Sequence, residues 1–278
     1  MTRPAPGPRP PTDVGASRLP WRQPHAATAA NRARPPKARE ELIIATDSLI
    51  AGEVAVSELL ADLARRRPVF HSEADFQHAF ARALWQANDQ IEVRLEARQP
   101  GLTREYLDLL AYGPQGRTAI EFKYFTRHWS DTTGEPGELY DLKAHAATDL
   151  ARRNFIFDIE RLERFGATPD QNGLAIMLTN DTSLWSEPPK RPTPTRDQDF
   201  RIHEGRTLAG TLLWGGGDYA ANTRHLAGHY ECRWKLYSNV ASPNGTFRYL
   251  LIETTRADET RDNRKGETGA VPIRLEDL

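Results

Sequence analysis

One predicted hairpin constrains this chain more than any other feature of its sequence. Residues 104–112 and 117–125 each alternate between apolar and polar side chains, and the turn sequence GPQG lies between them at 113–116. Such alternation predicts two β-strands, and a short link rich in Gly and Pro predicts that they pair antiparallel. A symmetric turn places Tyr112 opposite Arg117, which fixes the register of every pair farther along the two strands.

This register separates the two faces of the hairpin. One face is apolar and carries four large residues: Leu107 opposite Phe122, and Leu109 opposite Ile120. On the other face Asp108 lies directly opposite Glu121, and Tyr106 lies opposite Lys123. Directly opposed side chains have Cβ atoms roughly 4.5–5.5 Å apart, so the two carboxylates repel each other. The repulsion is relieved if one carboxyl holds a proton or if a cation lies between them.

If a cation relieves the repulsion, the residue types indicate which kind. Carboxylate oxygens suit a hard divalent ion, Mg²⁺ or Mn²⁺. Lys123 projects from the same face as Glu121, about 7 Å along the strand. A metal ion beside an ammonium group is an arrangement that stabilises a phosphoryl transition state and activates water. The alternative is a solvated strand face on which Lys123 only screens the two acids.

The rest of the chain alternates between helical and strand patterns, without an internal repeat. The segments predict a helix or helix pair over 41–67, a helix from Ser72 to about Asn88, a strand over 91–98, a helix over 139–165, and strands near 173–180, 208–214, 229–238 and 246–254. A long Pro-rich loop covers 181–207. The predicted fold class is α/β.

Composition sets the ends of the chain apart from its middle. Residues 1–40 hold nine of the 20 prolines and a net charge of +6, which predicts a disordered arm. Residues 256–278 are polar and predict a disordered tail. Residues 41–255 remain as one domain with a net charge of −6, which argues against a protein that coats nucleic acid by bulk charge.

Cysteine count and apolar run lengths indicate the compartment. Cys232 is the single cysteine, so an internal disulfide framework and a multi-Cys zinc module are excluded. The spacing of His225, His229 and Cys232 resembles that of zinc ligands. However, a strand is predicted there and no fourth ligand is evident. The sequence shows neither a signal peptide nor a run long enough to cross a bilayer. We expect a soluble cytoplasmic protein that does not contact a membrane.

The hairpin residues resemble the core signature of the PD-(D/E)XK nuclease superfamily. Asp108 is followed, after twelve residues, by Glu121-Phe122-Lys123. The order helix, three strands, helix, strand over about 70–180 resembles the αβββαβ core of that family. The segments SEADFQHAFARALW and IEFKYF are also similar to bacterial restriction-endonuclease-like proteins. The resemblance implies a restriction endonuclease-like core with a mixed central sheet and additional C-terminal β-strands.

The resemblance also implies roles for individual residues. Asp108 and Glu121 would bind Mg²⁺ or Mn²⁺, and Lys123 would position the attacking water or stabilise negative charge. Glu73, in the first turn of the preceding helix, matches an extra acid that many members supply. Taken alone, Glu73 is an ordinary helix N-terminal acid favoured by the helix dipole. The chain departs from the family pattern at Leu107, which precedes Asp108 where the signature has proline.

The implied function is a divalent-metal-dependent nuclease that hydrolyses phosphodiester bonds, with DNA as the expected substrate. The alternatives are a non-catalytic module of the same fold that binds nucleic acid or a protein partner, and an unrelated α+β interaction protein. Whether the chain forms a homodimer is left open.

Several basic residues are weaker candidates for nucleic-acid contact: Arg127, Lys143, Arg152 and Arg153. The last three belong to the predicted helix 139–165, which also carries His145, and a solvated helix face explains them equally well. Trp129 follows the second hairpin strand and either stacks on a base or packs on the core.

Overall fold

The computed structural model describes residues 47–98, 105–134, 137–166 and 170–255. The predicted arm at 1–40 and the predicted tail at 256–278 lie outside these residues. The described α-helices are α1 (Val56–Arg66), α2 (Glu73–Ala87), α3 (Thr148–Phe165) and the short α4 (Thr182–Trp185). None of the described helices is long and apolar enough to cross a membrane.

Twelve strands are described. They are β1 (Leu49–Ile50), β2 (Val54–Ala55), β3 (Glu92–Arg98), β4 (Tyr106–Gly113), β5 (Gly116–Phe125), β6 (Trp129–Thr133), β7 (Glu138–Leu142), β8 (Gln171–Thr179), β9 (Thr207–Leu212), β10 (Arg224–Glu231), β11 (Trp234–Asn239) and β12 (Thr246–Thr254).

A six-stranded mixed sheet forms the centre of the fold, in the order β11-β12-β8-β5-β4-β3. β5 and β8 run parallel, and every other pair in the sheet is antiparallel. The prediction of an α/β fold with a mixed central sheet is therefore confirmed. Strands β11 and β12 extend this sheet beyond β8, so part of the C-terminal region belongs to the central layer.

The two faces of the sheet are covered differently. β5 alternates, so that Ile120, Phe122 and Tyr124 join a core with α1 and α2. Ala119 and Phe125 join a second core with α3, β9 and β10 on the opposite face. This is the period-two division expected of a strand that is buried on both sides. Helix α2 begins where the sequence predicts, because the hydroxyl of Ser72 accepts a hydrogen bond from the backbone N–H of Asp75 at 3.1 Å.

The predicted helix over 139–165 is wrong in its first part. Residues 138–142 form β7, which pairs antiparallel with β6, and α3 begins only at Thr148. Tyr140 and Leu142 are buried while their neighbours are exposed, which is a strand alternation. The apolar residues on which the helix prediction depended belong to two different elements, β7 and α3.

Two further element predictions need correction. The helix or helix pair over 41–67 is reduced to α1, because Ala51 and Gly52 take positive φ angles of 50° and 73° in the turn between β1 and β2. Residues 41–46 lie outside the described residues. The single strand near 229–238 is two strands, β10 and β11, which belong to different sheets.

Candidate active site

The candidate site forms where β4 separates from β5. The two strands pair in the predicted register from Gly113 opposite Gly116 to Leu109 opposite Ile120. The pairing ends there, so Asp108 is not a ladder partner of Glu121 as the sequence predicted. The carboxylate Oδ2 of Asp108 instead accepts a hydrogen bond from the backbone N–H of Phe122 at 2.7 Å.

A distortion at this point also changes the face of Leu107. The sequence placed Leu107 with Leu109 on one apolar face, but Leu107 packs in the α3-side core. On the neighbouring strand, Glu96 has a φ of 50°. The β3–β4 pairing skips Glu96 and Asp108. A local irregularity in a strand resets which side chains face each side, and this one turns Asp108 toward the edge of β5.

Glu73 reaches the same edge of β5 from the first turn of α2. Its Oε2 accepts a hydrogen bond from the backbone N–H of Tyr124 at 2.8 Å. Glu73 and Asp108 thus satisfy the N–H groups of alternate residues, Phe122 and Tyr124, that β4 no longer covers. A strand edge left without a partner would otherwise expose these donors. The separation of β4 from β5 therefore brings two carboxylates to one place.

Glu121 and Lys123 project from β5 toward α3. Glu121 is 1% exposed, and its Oε2 lies 2.6 Å from Nη2 of Arg161. The same Arg161 nitrogen lies 2.9 Å from Oδ1 of Asp158, whose Oδ2 lies 3.1 Å from Nζ of Lys123. Lys123 Nζ also donates to the backbone oxygen of Phe122 at 2.8 Å. The result is a chain of alternating charge that links β5 to one turn of α3.

Burial and crowding of like charges shift the ionisation of these groups. Burial, with repulsion from Asp108 and Asp158, raises the pKa of Glu121 to about 9. Burial also raises the pKa of Asp158 to about 6. Burial alone would lower the pKa of Lys123, but Asp158, Glu73 and Asp108 outweigh it and raise that pKa to about 12. Glu73 lies at the surface, yet removal of water from its carboxylate raises its pKa as well.

Sequence reasoning missed Asp158 and Arg161. They lie three residues apart on α3, beside Ile159 and Leu162, which the helical pattern correctly placed facing inward. A charged pair next to the buried stripe of a helix was the available signal, because such charges need partners across the interface. The identity of those partners depends on how α3 packs against β5, which the sequence does not reveal.

A cleft of about 390 Å³ opens beside Glu73 and Lys123. Its walls come from β5, from the segment before α3, and from the first turns of α3. The lining residues are Glu73, Lys123, Tyr124, Phe125, His145, Ala146, Ala147, Leu150, Ala151, Asn154 and Met177. A cleft lined by an acid and an amine gives a ligand a path to the charged groups.

The carboxylates of the candidate site do not form a ready-made metal site. Within residues 47–98, 105–134, 137–166 and 170–255, no three His, Cys, Asp or Glu side chains are grouped so as to hold a metal ion. His225, His229 and Cys232, the possible zinc ligands, are among the residues to which this finding applies. Cys232 is a buried free thiol. Among the residues of the candidate site, Arg161 supplies the positive charge nearest to Glu121.

The predicted nucleic-acid contacts fall in different environments. Arg127 and Lys143 are exposed and Arg153 is half-buried. Arg152 is 3% exposed and pairs with Asp197 at 2.7 Å, so it does not lie on a solvated helix face. Lys143 precedes α3 rather than belonging to it.

Trp129 packs on the core rather than standing ready to stack on a base. It is 2% exposed and its ring lies 6.1 Å from the rings of Tyr140 and Phe247. Of the two interpretations that the sequence allowed, the structure supports packing.

Comparisons with protein-family models, with curated proteins and with solved structures found no match to this chain. The fold and the geometry of the site therefore carry the functional argument.

Proposed function

We propose that this protein is a divalent-metal-dependent nuclease of the PD-(D/E)XK type that hydrolyses phosphodiester bonds in nucleic acid, with DNA as the first substrate to test. The observation that carries the proposal is that Glu73, Asp108, Glu121 and Lys123 lie around the point where β4 leaves β5, close enough for their charges to act on one another. The order α2-β3-β4-β5-α3-β8 also supports it, since this is the αβββαβ order of the restriction endonuclease-like core. The β6–β7 hairpin is an insertion in that order.

The chemistry of the donors fits a hard divalent cation. Asp108 and Glu121, with Glu73, would hold the ion through carboxylate oxygens. These three side chains are not grouped around one position in the described structure, so they would have to move toward the ion when it binds. Oε1 of Glu121 is buried and has no hydrogen-bond partner among the described residues, which leaves it able to act as a ligand. When bound, Mg²⁺ supplies positive charge against the phosphate and makes a water molecule easier to deprotonate. Lys123 would stabilise negative charge on the phosphate.

A specific observation favours the second candidate, a non-catalytic module of this fold that binds nucleic acid or a protein partner. Arg161 lies 2.6 Å from Glu121, and Lys123 lies 3.1 Å from Asp158. In these positions the basic side chains already have acidic partners. A binding module would keep this arrangement, whereas the nuclease must release Glu121 from Arg161 when the ion binds.

The experiment uses plasmid DNA, single-stranded DNA and RNA, each incubated with Mg²⁺, Mn²⁺ or EDTA. We expect the wild-type protein to cleave at least one substrate in Mg²⁺ or Mn²⁺ and none in EDTA. Glu121→Gln should reduce cleavage at least about 100-fold, because a ligand is lost. Glu231→Gln is the matched control, since it makes the same acid-to-amide change at a side chain that is 46% exposed on β10.

Equal cleavage by the wild type and Glu121→Gln would remove Glu121 from the mechanism. Binding of nucleic acid without cleavage in any metal would favour the non-catalytic module.

We place the protein in the cytoplasm as part of the same proposal, because its one cysteine, Cys232, is a buried free thiol and nucleic acid is the expected substrate.

A further inference from the structure

His145 is held in the wall of the cleft by hydrogen bonds to the end of β5. Its backbone N–H donates to the backbone oxygen of Thr126 at 2.8 Å. The backbone N–H of Thr126 donates in return to Nδ1 of His145 at 2.9 Å. The Thr126 hydroxyl donates to the backbone oxygen of Lys143 at 2.8 Å. These contacts connect the segment before α3 to Thr126, which follows the last residue of β5.

The hydrogen bond to Nδ1 fixes the tautomer of the ring. A nitrogen that accepts an N–H cannot carry a proton of its own, so neutral His145 carries its ring proton on Nε2. In the described part of the chain, the ring makes its hydrogen bonds at Nδ1. The side chain is exposed to solvent in the cleft, and the ring lies 5.3 Å from that of Phe125. Nε2 is therefore an oriented donor on the cleft wall.

The neighbours of His145 in the cleft are also hydrogen-bond donors. Lys123 contributes an ammonium group. Asn154 lies in the same wall, and its Oδ1 accepts a hydrogen bond from Nη2 of Arg153 at 3.0 Å, which leaves its amide N–H groups as the remaining polar function. Glu73 is the only acid that lines the cleft among the described residues. Three donors and one acid suit an anionic ligand with several oxygen atoms, as a phosphodiester is.

We propose that His145 donates a hydrogen bond from Nε2 to a non-bridging phosphate oxygen of bound nucleic acid. No proton is transferred in this role, because Nε2 keeps its hydrogen and Nδ1 stays bonded to Thr126. The inference rests on the proposed function for the identity of the ligand. It adds a substrate-contacting residue from outside the acid and lysine signature.

Two substitutions separate this role from a structural one. His145→Asn places an amide oxygen near the position of Nδ1, so it keeps the acceptor for Thr126 but loses the donor in the cleft. His145→Gln places an amide nitrogen near the position of Nε2, so it keeps the donor but loses the inner acceptor. His78→Asn, at an exposed position on α2 outside the cleft, is the matched control.

The experiment measures the binding of labelled DNA and RNA oligonucleotides in EDTA by fluorescence anisotropy, cleavage in Mg²⁺, and the melting temperature of each variant. We expect His145→Asn to weaken binding and cleavage about tenfold with an unchanged melting temperature, which is the typical effect of one hydrogen bond to a charged group. His145→Gln should stay within about threefold of the wild type, even if it melts at a lower temperature. His78→Asn should match the wild type.

The outcomes distinguish this inference from the proposed function. If the wild type cleaves and His145→Asn binds and cleaves equally well, the inference is overturned while the nuclease proposal stands. If the wild type binds without cleaving and His145→Asn alone weakens that binding, the inference stands while the nuclease proposal fails. Equal losses in His145→Asn and His145→Gln, or no binding by the wild type, would overturn the inference.

Discussion

Glu121 carries the least solvated carboxylate of the candidate site. It is 1% exposed, it feels repulsion from Asp108 and Asp158, and Arg161 offsets that repulsion only in part. A structural sheet gains nothing from a buried acid in this position, because its desolvation costs several kcal/mol. The cost is understandable if the carboxylate has a cationic ligand during function.

The raised pKa of Glu121 gives the metal-free protein a defined pH dependence. The folded protein holds this proton up to about pH 9, whereas the unfolded chain loses it near its ordinary value of 4.5. Folding therefore takes up a proton between these limits, and stability falls as pH rises through the window. The fall is at most about 1.4 kcal/mol per pH unit for one proton.

Denaturant unfolding in EDTA at a series of pH values between 5 and 9 measures this slope. Glu121→Gln cannot titrate, so we expect its slope to be shallower than that of the wild type by this amount. Asp158, whose pKa is also raised, acts in the same direction at the lower end of the range. Parallel curves for the wild type and Glu121→Gln would show that Glu121 does not hold the proton.

Asp108→Asn tests the repulsion between the two strand acids. The amide oxygen of Asn can still accept the hydrogen bond from Phe122, while the charge beside Glu121 is removed. Above pH 9, where Glu121 is charged, we expect the metal-free protein to become more stable by about 0.2–1 kcal/mol, as for other neighbouring like charges. Asp108→Ala should instead lose about 1–3 kcal/mol, because the N–H of Phe122 loses its acceptor. A clear loss of stability in Asp108→Asn during chemical unfolding in EDTA would contradict this account.

At the scale of elements, the site depends on one strand leaving its neighbour and one helix crossing over it. β4 stops pairing with β5 after Leu109, and Glu73 and Asp108 then take up the exposed N–H groups of β5. α3 supplies Asp158 and Arg161 to the face of β5 that carries Glu121 and Lys123. Backbone hydrogen bonds hold Glu73 and Asp108 at the edge of the strand, and contacts with α3 hold Glu121 and Lys123 on the adjoining face.

Arg161→Gln tests the contribution of α3. The substitution leaves Glu121 and Asp158 with less positive charge nearby. Breaking a buried pair from one side typically costs about 3–5 kcal/mol, and the expected loss here is about 2–3 kcal/mol because Arg161 keeps some solvent contact. Above pH 9, where Glu121 is charged, the double variant Arg161→Gln/Glu121→Gln should recover part of the loss in a double-mutant cycle.

The control for this cycle is Arg164→Gln, which removes an arginine one turn along that is 44% exposed and pairs with Glu105 at the surface. Its expected cost is under about 1 kcal/mol. If Arg161→Gln and Arg164→Gln cost the same in denaturant unfolding, or if the double variant recovers nothing, the ion pair with Glu121 does not stabilise the fold.

At the scale of the whole molecule, local sequence signals predicted the part of the fold that carries the site acids. The cap at Ser72, the alternation of 91–98 and the GPQG turn at 113–116 are all local, and α2, β3, β4 and β5 follow them. The addition of β12 and β11 to the sheet depends on pairing between residues far apart in the chain, which local patterns do not encode.

The same division holds within the site. The hairpin register predicted that Glu121 and Lys123 share a face and that Asp108 lies near Glu121. It did not predict that pairing stops at Leu109, because the distortion involves Glu96 on a third strand. The pairing of Asp158 and Arg161 with β5 was also beyond the sequence, because it depends on the packing of α3 against the sheet.

The most direct test of the account is calorimetric titration of the purified protein with Mn²⁺ near pH 8, with the wild type beside Glu121→Gln and the control Glu231→Gln. We expect the wild type and Glu231→Gln to bind Mn²⁺ with equal affinity and Glu121→Gln to bind at least about tenfold more weakly, because a carboxylate ligand is lost. Absence of Mn²⁺ binding by the wild type, or equal affinity in Glu121→Gln, would contradict the claim that these strand acids hold a catalytic ion.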